Sequence, residues 1–169
     1  MKTFFRVTSL FLILLLTVIL LCSCFNVTPR HKVTISTLGE YEKEEFFSSG
    51  GFQDYTDYGK YYFNEVPSIK ENEYFKSVTT ADIDVLNGYI DNFDNWVDLI
   101  SENSSTKKEI ELVKNYDLDR TIINEGDFFY IYDKMGEPIG EGQYEQYECY
   151  DVYIFDIESC ILYYFHNNI

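Results

Sequence analysis

Residues 79–101 read TTADIDVLNGYIDNFDNWVDLIS. Within them Ile83, Leu86, Ile90, Phe93, Val97 and Ile100 recur at spacings of 3, 4, 3, 4 and 3, which lines one face of a helix with apolar side chains. Tyr89 and Trp96 widen that face, while Asp91, Asp94, Asn95 and Asp98 fall on the other side. Thr79 followed by Asp82 makes a capping box with a short acid, and Asp82 and Asp84 complement the positive end of the helix dipole. A helix over about residues 80–101 is expected. So broad an apolar stripe needs a second layer to bury it.

The C-terminal third supplies the material for that layer. Residues 127–132, DFFYIY, are rich in β-formers and run into Asp133-Lys134-Met135-Gly136, a turn with glycine available for positive φ. Residues 148–155 and 160–166 read as two more strands, joined across Asp156-Ile157-Glu158-Ser159. With the turn centred between Ile157 and Glu158, Ile154 faces Ile161, Val152 faces Tyr163 and Tyr150 faces Phe165, an apolar face for the helix. The reverse face then carries Cys149, Asp151, Tyr153 and Phe155 opposite His166, Tyr164, Leu162 and Cys160, and is expected to be half solvated. Residues 58–63, closed by Pro67, read as a further strand. Periodicity leaves residues 107–114 open between helix and strand. The fold class is α+β, one main amphipathic helix on an antiparallel sheet, following an N-terminal signal helix.

Of 169 residues 46% are hydrophobic, with 16 Tyr and 14 Phe, which is ample for one folded core. Thirteen basic residues against 29 acidic ones give a net charge of −16, so phosphate backbones are repelled and a nucleic-acid partner is disfavoured.

The N-terminus carries the most specific motif. Lys2 and Arg6 precede a charge-free run from Val7 to Leu21, whose helical length of about 22 Å falls short of a hydrocarbon core of about 30 Å. The run ends in Leu21-Cys22-Ser23-Cys24, which resembles the lipobox of bacterial lipoproteins. The resemblance implies cleavage before Cys24, acylation of its thiol and of the new amino terminus, and export to the outer face of the bacterial cell membrane. Two or more acyl chains suffice for stable anchoring. The expected organisation is a signal peptide over 1–23, a flexible tether over 24–45, in which Val33-Thr34-Ile35 has the make-up of a short strand, and an α+β domain over 46–169. Removing Lys2 and Arg6 with the signal leaves a mature charge near −18.

Side chains with chemical potential are few. Cys149 and Cys160 lie at opposite ends of the hairpin strands, so two free thiols and no disulfide are expected. Cys149, Asp151 and His166 share a face, yet a thiol in mid-strand among acids lacks the cationic neighbour or helix N-terminus that activates a nucleophile. Of the acid pairs Asp54/Asp57, Asp82/Asp84 and Asp117/Asp119, a calcium loop started at Asp82 fails and Asp117/Asp119, with Asn124, Glu125 and Asp127 close behind, comes nearer to one; a solvated acidic surface is the expected reading, His31 and His166 fit no zinc spacing, and no metal or cofactor is expected. The glycine-rich residues 136–142 read as a loop between strands, and the sequons at Asn26 and Asn103 as chance matches. The expected function is a lipid-anchored envelope protein, non-enzymatic, that binds a protein, peptide or glycan partner through an acidic, aromatic-rich surface. The alternatives are a small envelope hydrolase using a carboxylate pair, and an acidic inhibitor or immunity-type protein.

Overall fold

The computed structural model describes residues 29–50, 55–69, 72–133 and 149–168. Cys22, Cys24, Asn26, Asp54 and the 136–142 loop lie outside the described residues. The chain divides into two compact units, the first ending at Ser36 and the second running from Thr37. In the first unit Arg30–Ser36 is a short helix, α1, and not the strand that Val33-Thr34-Ile35 led us to expect. Its first turn starts at Pro29, whose carbonyl accepts from the amides of Lys32 (3.0 Å) and Val33 (3.3 Å); a proline just ahead of a helix has its φ already set.

The second unit is α+β. Its strands are β1 (Lys43–Ser48), β2 (Tyr55–Tyr62), β3 (Lys76–Ser77), β4 (Phe128–Asp133), β5 (Cys149–Asp156) and β6 (Ile161–Asn168). They form one antiparallel sheet in the order β1-β2-β6-β5-β4-β3. Two helices, α2 (Thr80–Asn103) and α3 (Lys107–Asn115), contribute buried side chains to the core on one face. The charged run Glu40–Glu45, expected to be tether, enters the sheet at Lys43 as an edge strand. There Glu45 meets Lys43 (2.6 Å), Lys60 (3.6 Å) and the Tyr62 hydroxyl (2.8 Å), contacts that hold its carboxyl down to about 2. An edge position tolerates such charges because one side of the strand stays wet.

The main helix begins where its capping box sits. The Asp82 carboxylate accepts from the Thr79 amide (3.0 Å) and hydroxyl (2.6 Å). Leu86, Tyr89, Ile90, Phe93 and Val97 are buried, with Ile83 packed beside them, against Tyr58, Tyr150, Val152, Ile154 and Phe165 of the sheet. Residues 107–114, left open by periodicity, are helical. Thr106 and Glu109 form a second capping box, in which the Glu109 amide donates to Thr106 Oγ1 (3.2 Å) and the Glu109 carboxylate accepts from the Thr106 amide (2.8 Å).

The central hairpin differs from its expected register by two residues. Tyr150 pairs with Asn167, Val152 with Phe165, Ile154 with Tyr163 and Asp156 with Ile161. Asp156 causes the shift: its carboxylate accepts from the Glu158 amide (2.9 Å) and the Ser159 hydroxyl (2.6 Å), so it closes the strand, and the turn moves one residue on to end at Cys160, which takes a φ of +54°. A shift by two leaves every side chain on its expected face.

The reverse face is corrected outright. Cys149, Asp151, Tyr153, Phe155, Leu162, Tyr164 and His166 are all buried, not half solvated. Phe63 packs on Phe155 (5.5 Å) and Phe75 on Tyr153 (6.0 Å), so the chain between β2 and β3 covers part of this face. A transverse line of rings crosses it in register: Phe46, then Gly59, then Tyr164, Tyr153 and Tyr130, with ring centroids 6.4, 5.0 and 5.6 Å apart. Gly59 is the gap in that line. A Cβ there would come within 3.2 Å of Phe46 and 3.1 Å of Tyr61, so any side chain at this position would have to push those rings aside by a few tenths of an ångström, and glycine leaves Phe46 room to reach across to Tyr164.

These contacts set an order of sensitivities. Phe93→Ala removes a fully buried ring between Tyr58, Tyr116 and Phe165 and should cost about 3–5 kcal/mol. Gly59→Val overpacks the ring line and should cost about 1–3 kcal/mol. Urea unfolding of both variants checks the ranking; a Gly59→Val protein as stable as wild type would show that the rings close over a side chain freely.

Candidate functional site

Two places in the second unit concentrate chemistry. The first is a line of polar groups on the reverse face, one step along from the rings. Register brings Ser48, Asp57, His166, Asp151 and Tyr132 into one row across five strands. At its centre Asp151 Oδ1 lies 2.9 Å from His166 Nδ1 and accepts from the Tyr164 hydroxyl at 2.8 Å. Tyr55 lies over the imidazole with centroids 4.8 Å apart. Asp57, His166 and Asp151 are only 6%, 4% and 7% exposed. Burial raises the Asp57 carboxyl above its ordinary value, opposed by a Ser48 hydrogen bond and by the positive sides of His166 and Lys108, and reinforced by the Asp151 charge.

Of the Cys149, Asp151 and His166 set read from sequence, the structure joins Asp151 to His166 and separates Cys149. The thiol donates instead to Asn168 Oδ1 (2.7 Å), its register partner. His166 Nε2 is buried with no hydrogen-bond partner among the described residues, so none of their hydroxyls or thiols is placed for it to activate. Cys160 belongs to the turn and is free, as is Cys149. Asp57, the third member of the ionisable row, was legible only as half of the Asp54/Asp57 pair; nothing in its local sequence places it beside His166, which is 109 residues away.

In the other acid pairs Asp82, Asp117 and Asp119 have structural roles, and Asp84 is exposed. Asp82 caps α2 and bridges Lys76 (3.2 Å). Asp117 takes the Tyr58 hydroxyl (2.7 Å) and Lys60 (2.7 Å), and Asp119 caps the turn Arg120–Ile122 by accepting from the Thr121 amide (2.9 Å). Among the described residues no cluster of three or more His, Cys, Asp or Glu has metal-binding geometry.

The second place is a recess of about 640 Å3 where the first turns of α2 meet β4. Asp82, Val85 and Tyr89 form its helix wall and Phe129, Ile131 and Asp133 its sheet wall; Tyr74, Tyr130 and Tyr132 continue it around the sheet edge. Lys76 crosses it, its ammonium 4.5 Å from the centre of the Phe129 ring. Tyr89 donates to Asp133 (2.8 Å), which fixes the far end. A half-open recess lined by four tyrosines, with a few charges at defined points, has the make-up of a binding surface.

No protein-family model, curated protein or solved structure shows significant similarity to this chain.

The raised Asp57 carboxyl makes a pH-dependent prediction with a definite sign. An unfolded Asp titrates near pH 3.9, so between that value and the higher folded one the native state holds more protons than the unfolded state, and stability falls as pH rises. Asp57→Asn removes this loss. It should raise the melting temperature at neutral pH, with the gain shrinking below about pH 4; thermal melts of both proteins across pH 3–8 check it, and a difference constant over that range would be inconsistent with burial as the cause.

Proposed function

We propose that this chain is a bacterial lipoprotein of the cell envelope, exported and held on the outer face of the membrane through acylated Cys24, and that its folded part is a non-enzymatic binding module. The tyrosine-lined recess between α2 and the β4 edge is the observation that carries the binding reading. Its rings offer rigid, amphipathic contact area at small entropic cost, and its polar groups are spaced around the rim. The lipobox at Leu21 to Cys24 supports the anchoring. The hydrolase alternative would draw on Asp57 and Asp151, which flank His166. Both carboxylates lie under the reverse face, well covered, whereas a hydrolytic pair must meet both substrate and water.

The body that such an anchor would hold is strongly anionic. Anionic headgroups would repel it, so the acyl chains and not the protein surface would supply membrane affinity.

Metabolic labelling with an alkynyl fatty acid tests the anchor. Wild-type protein should take up label and sediment with membranes; Cys24→Ser should lose the label and Cys22→Ser should keep it. Label that survives loss of Cys24 would overturn the lipoprotein reading, whatever the recess binds.

A further inference from the structure

We propose that Asp57 and His166 hold one proton between them, and that this proton makes the junction of β2 and β6 a latch that is shut at neutral pH and loosens as pH rises. The latch is independent of the binding-module reading. Two buried atoms, His166 Nε2 and Asp57 Oδ1, lack a hydrogen-bond partner among the described residues. The residues that carry them stand directly opposite each other on β6 and β2, so both side chains leave the same, reverse face. Each side chain is engaged elsewhere: Asp57 with the Ser48 hydroxyl, and His166 through Nδ1 with Asp151 Oδ1 at 2.9 Å. Asp151 Oδ1 also accepts from the Tyr164 hydroxyl (2.8 Å), which is the behaviour of an ionised carboxylate, so Nδ1 carries a hydrogen. Nε2 is then a bare acceptor unless a second proton sits on it. An ionised Asp57 is an acceptor as well, and two neighbouring acceptors away from water leave both unsatisfied. One proton on either of them satisfies both.

Among the described residues, every neighbouring element contributes a group around the pair. β1 supplies Ser48, β2 the Tyr55 ring, β6 the Tyr164 hydroxyl, β5 the Asp151 carboxylate, β4 Tyr132 and α3 the positive charge of exposed Lys108. Burial is the largest influence on Asp57 and keeps it protonated, with help from the Asp151 charge; Ser48, His166 and Lys108 oppose them, and the net direction is upward. In the unfolded chain an Asp and a His titrate apart, at about pH 3.9 and about pH 6.5. Between those values the unfolded chain also holds one proton on the two groups, so the pair contributes no slope there. Above about pH 6.5 the folded pair keeps a proton that the unfolded one has given up, and stability falls as pH rises. Once the proton is lost, the side-chain tie between β2 and β6 goes with it. The main chain reports this directly. The Phe63 amide donates to the Cys160 carbonyl (2.9 Å), and by antiparallel alternation the amides of Asp57 and His166 donate to each other's carbonyls.

The test uses the full chain, labelled with 15N and 13C, in detergent micelles from about pH 3 to about pH 9. Expected is a single step above about pH 6.5 in which the His166 Nε2 and Asp57 carboxyl resonances change together, while Nδ1 stays hydrogen-bearing throughout. Over the same range the opening constant read from exchange of the Asp57 and His166 amides, corrected for the intrinsic rate, should grow by up to about ten-fold per pH unit. Asp57→Asn, whose side-chain amide donates to Nε2 at every pH, should abolish that growth. If this variant does not fold, the two wild-type resonances decide alone. The rival is a buried water that gives one hydrogen to each acceptor. It requires an Asp57 carboxyl already ionised at about pH 6 beside a bare Nε2, and that result would overturn the proposal. So would amide exchange with no pH dependence beyond the intrinsic one, or a dependence that persists in Asp57→Asn. The anchoring reading survives any of these results, because it is judged on label at Cys24.

Discussion

All eight residues of β5 are buried, and most of β6 with them, so the sheet must be covered on both faces at its centre. The rest of the second unit follows from that requirement. Strand ladders on either side satisfy the main chain of the hairpin, β2 against β6 and β4 against β5. One face receives α2 and α3. The other receives rings from β1, β2 and the chain between β2 and β3. Such double burial is more usual of parallel sheets; here an antiparallel sheet achieves it with aromatic residues in place of crossover helices.

Aromatic cover has a polar condition attached. A tyrosine buried as far as its hydroxyl needs an acceptor there. For six of them the acceptor is a carboxylate: Tyr41 donates to Glu44, Tyr58 to Asp117, Tyr62 to Glu45, Tyr89 to Asp133, Tyr116 to Asp94 and Tyr164 to Asp151, whereas Tyr150 donates to the Asn92 side-chain oxygen and the Tyr61 hydroxyl has no hydrogen-bond partner among the described residues. The abundance of tyrosine and of acid in the composition are therefore linked. Part of the acidity works as cross-links between elements, joining β2 to the segment after α3, α2 to β4, and α2 to Tyr116. Burial and the adjoining negative charge both raise the hydroxyls of Tyr58 and Tyr116 well above the ordinary tyrosine range, so the donors keep their protons under any ordinary condition.

Most of the architecture was legible in the sequence, and the misses have definite causes. The α2 stripe and its cap are local signals, and the helix starts where Thr79 and Asp82 put it. The faces of the hairpin were right because face depends on parity alone; the register was wrong because Asp156 closes its own turn, an Asx interaction that strand periodicity does not report. The α3 helix carried a readable cap in Thr106 and Glu109, which a search for period alone passes over. The solvated reverse face was an error of template: YDVYIFD is a nearly continuous apolar run, the mark of a strand buried on both sides, and alternation was read into it. At the candidate sites, Asp151 with His166 was visible as a shared face. Asp57 and the β4 recess were not, since each depends on which strands become neighbours, and pairings between distant segments leave no local trace.

The two sites stand in different relations to solvent, and that difference bears on what each does for the molecule. The Asp57, His166 and Asp151 row sits where the ring line on the reverse face gives out, so its charges are desolvated without being aimed at an opening. Its electrostatics act inward, on how firmly β2, β5 and β6 hold together at that end. At the β4 edge the balance is reversed. There the two-residue β3 pairs with Phe128 and Phe129, while Phe75 just before it packs under the reverse face on Tyr153 and Tyr130. Burying that one ring helps to complete the core, and beside it the recess lies between α2 and β4. The rings that line the recess thus belong to the same packing that covers the central hairpin on both sides and stabilises the fold.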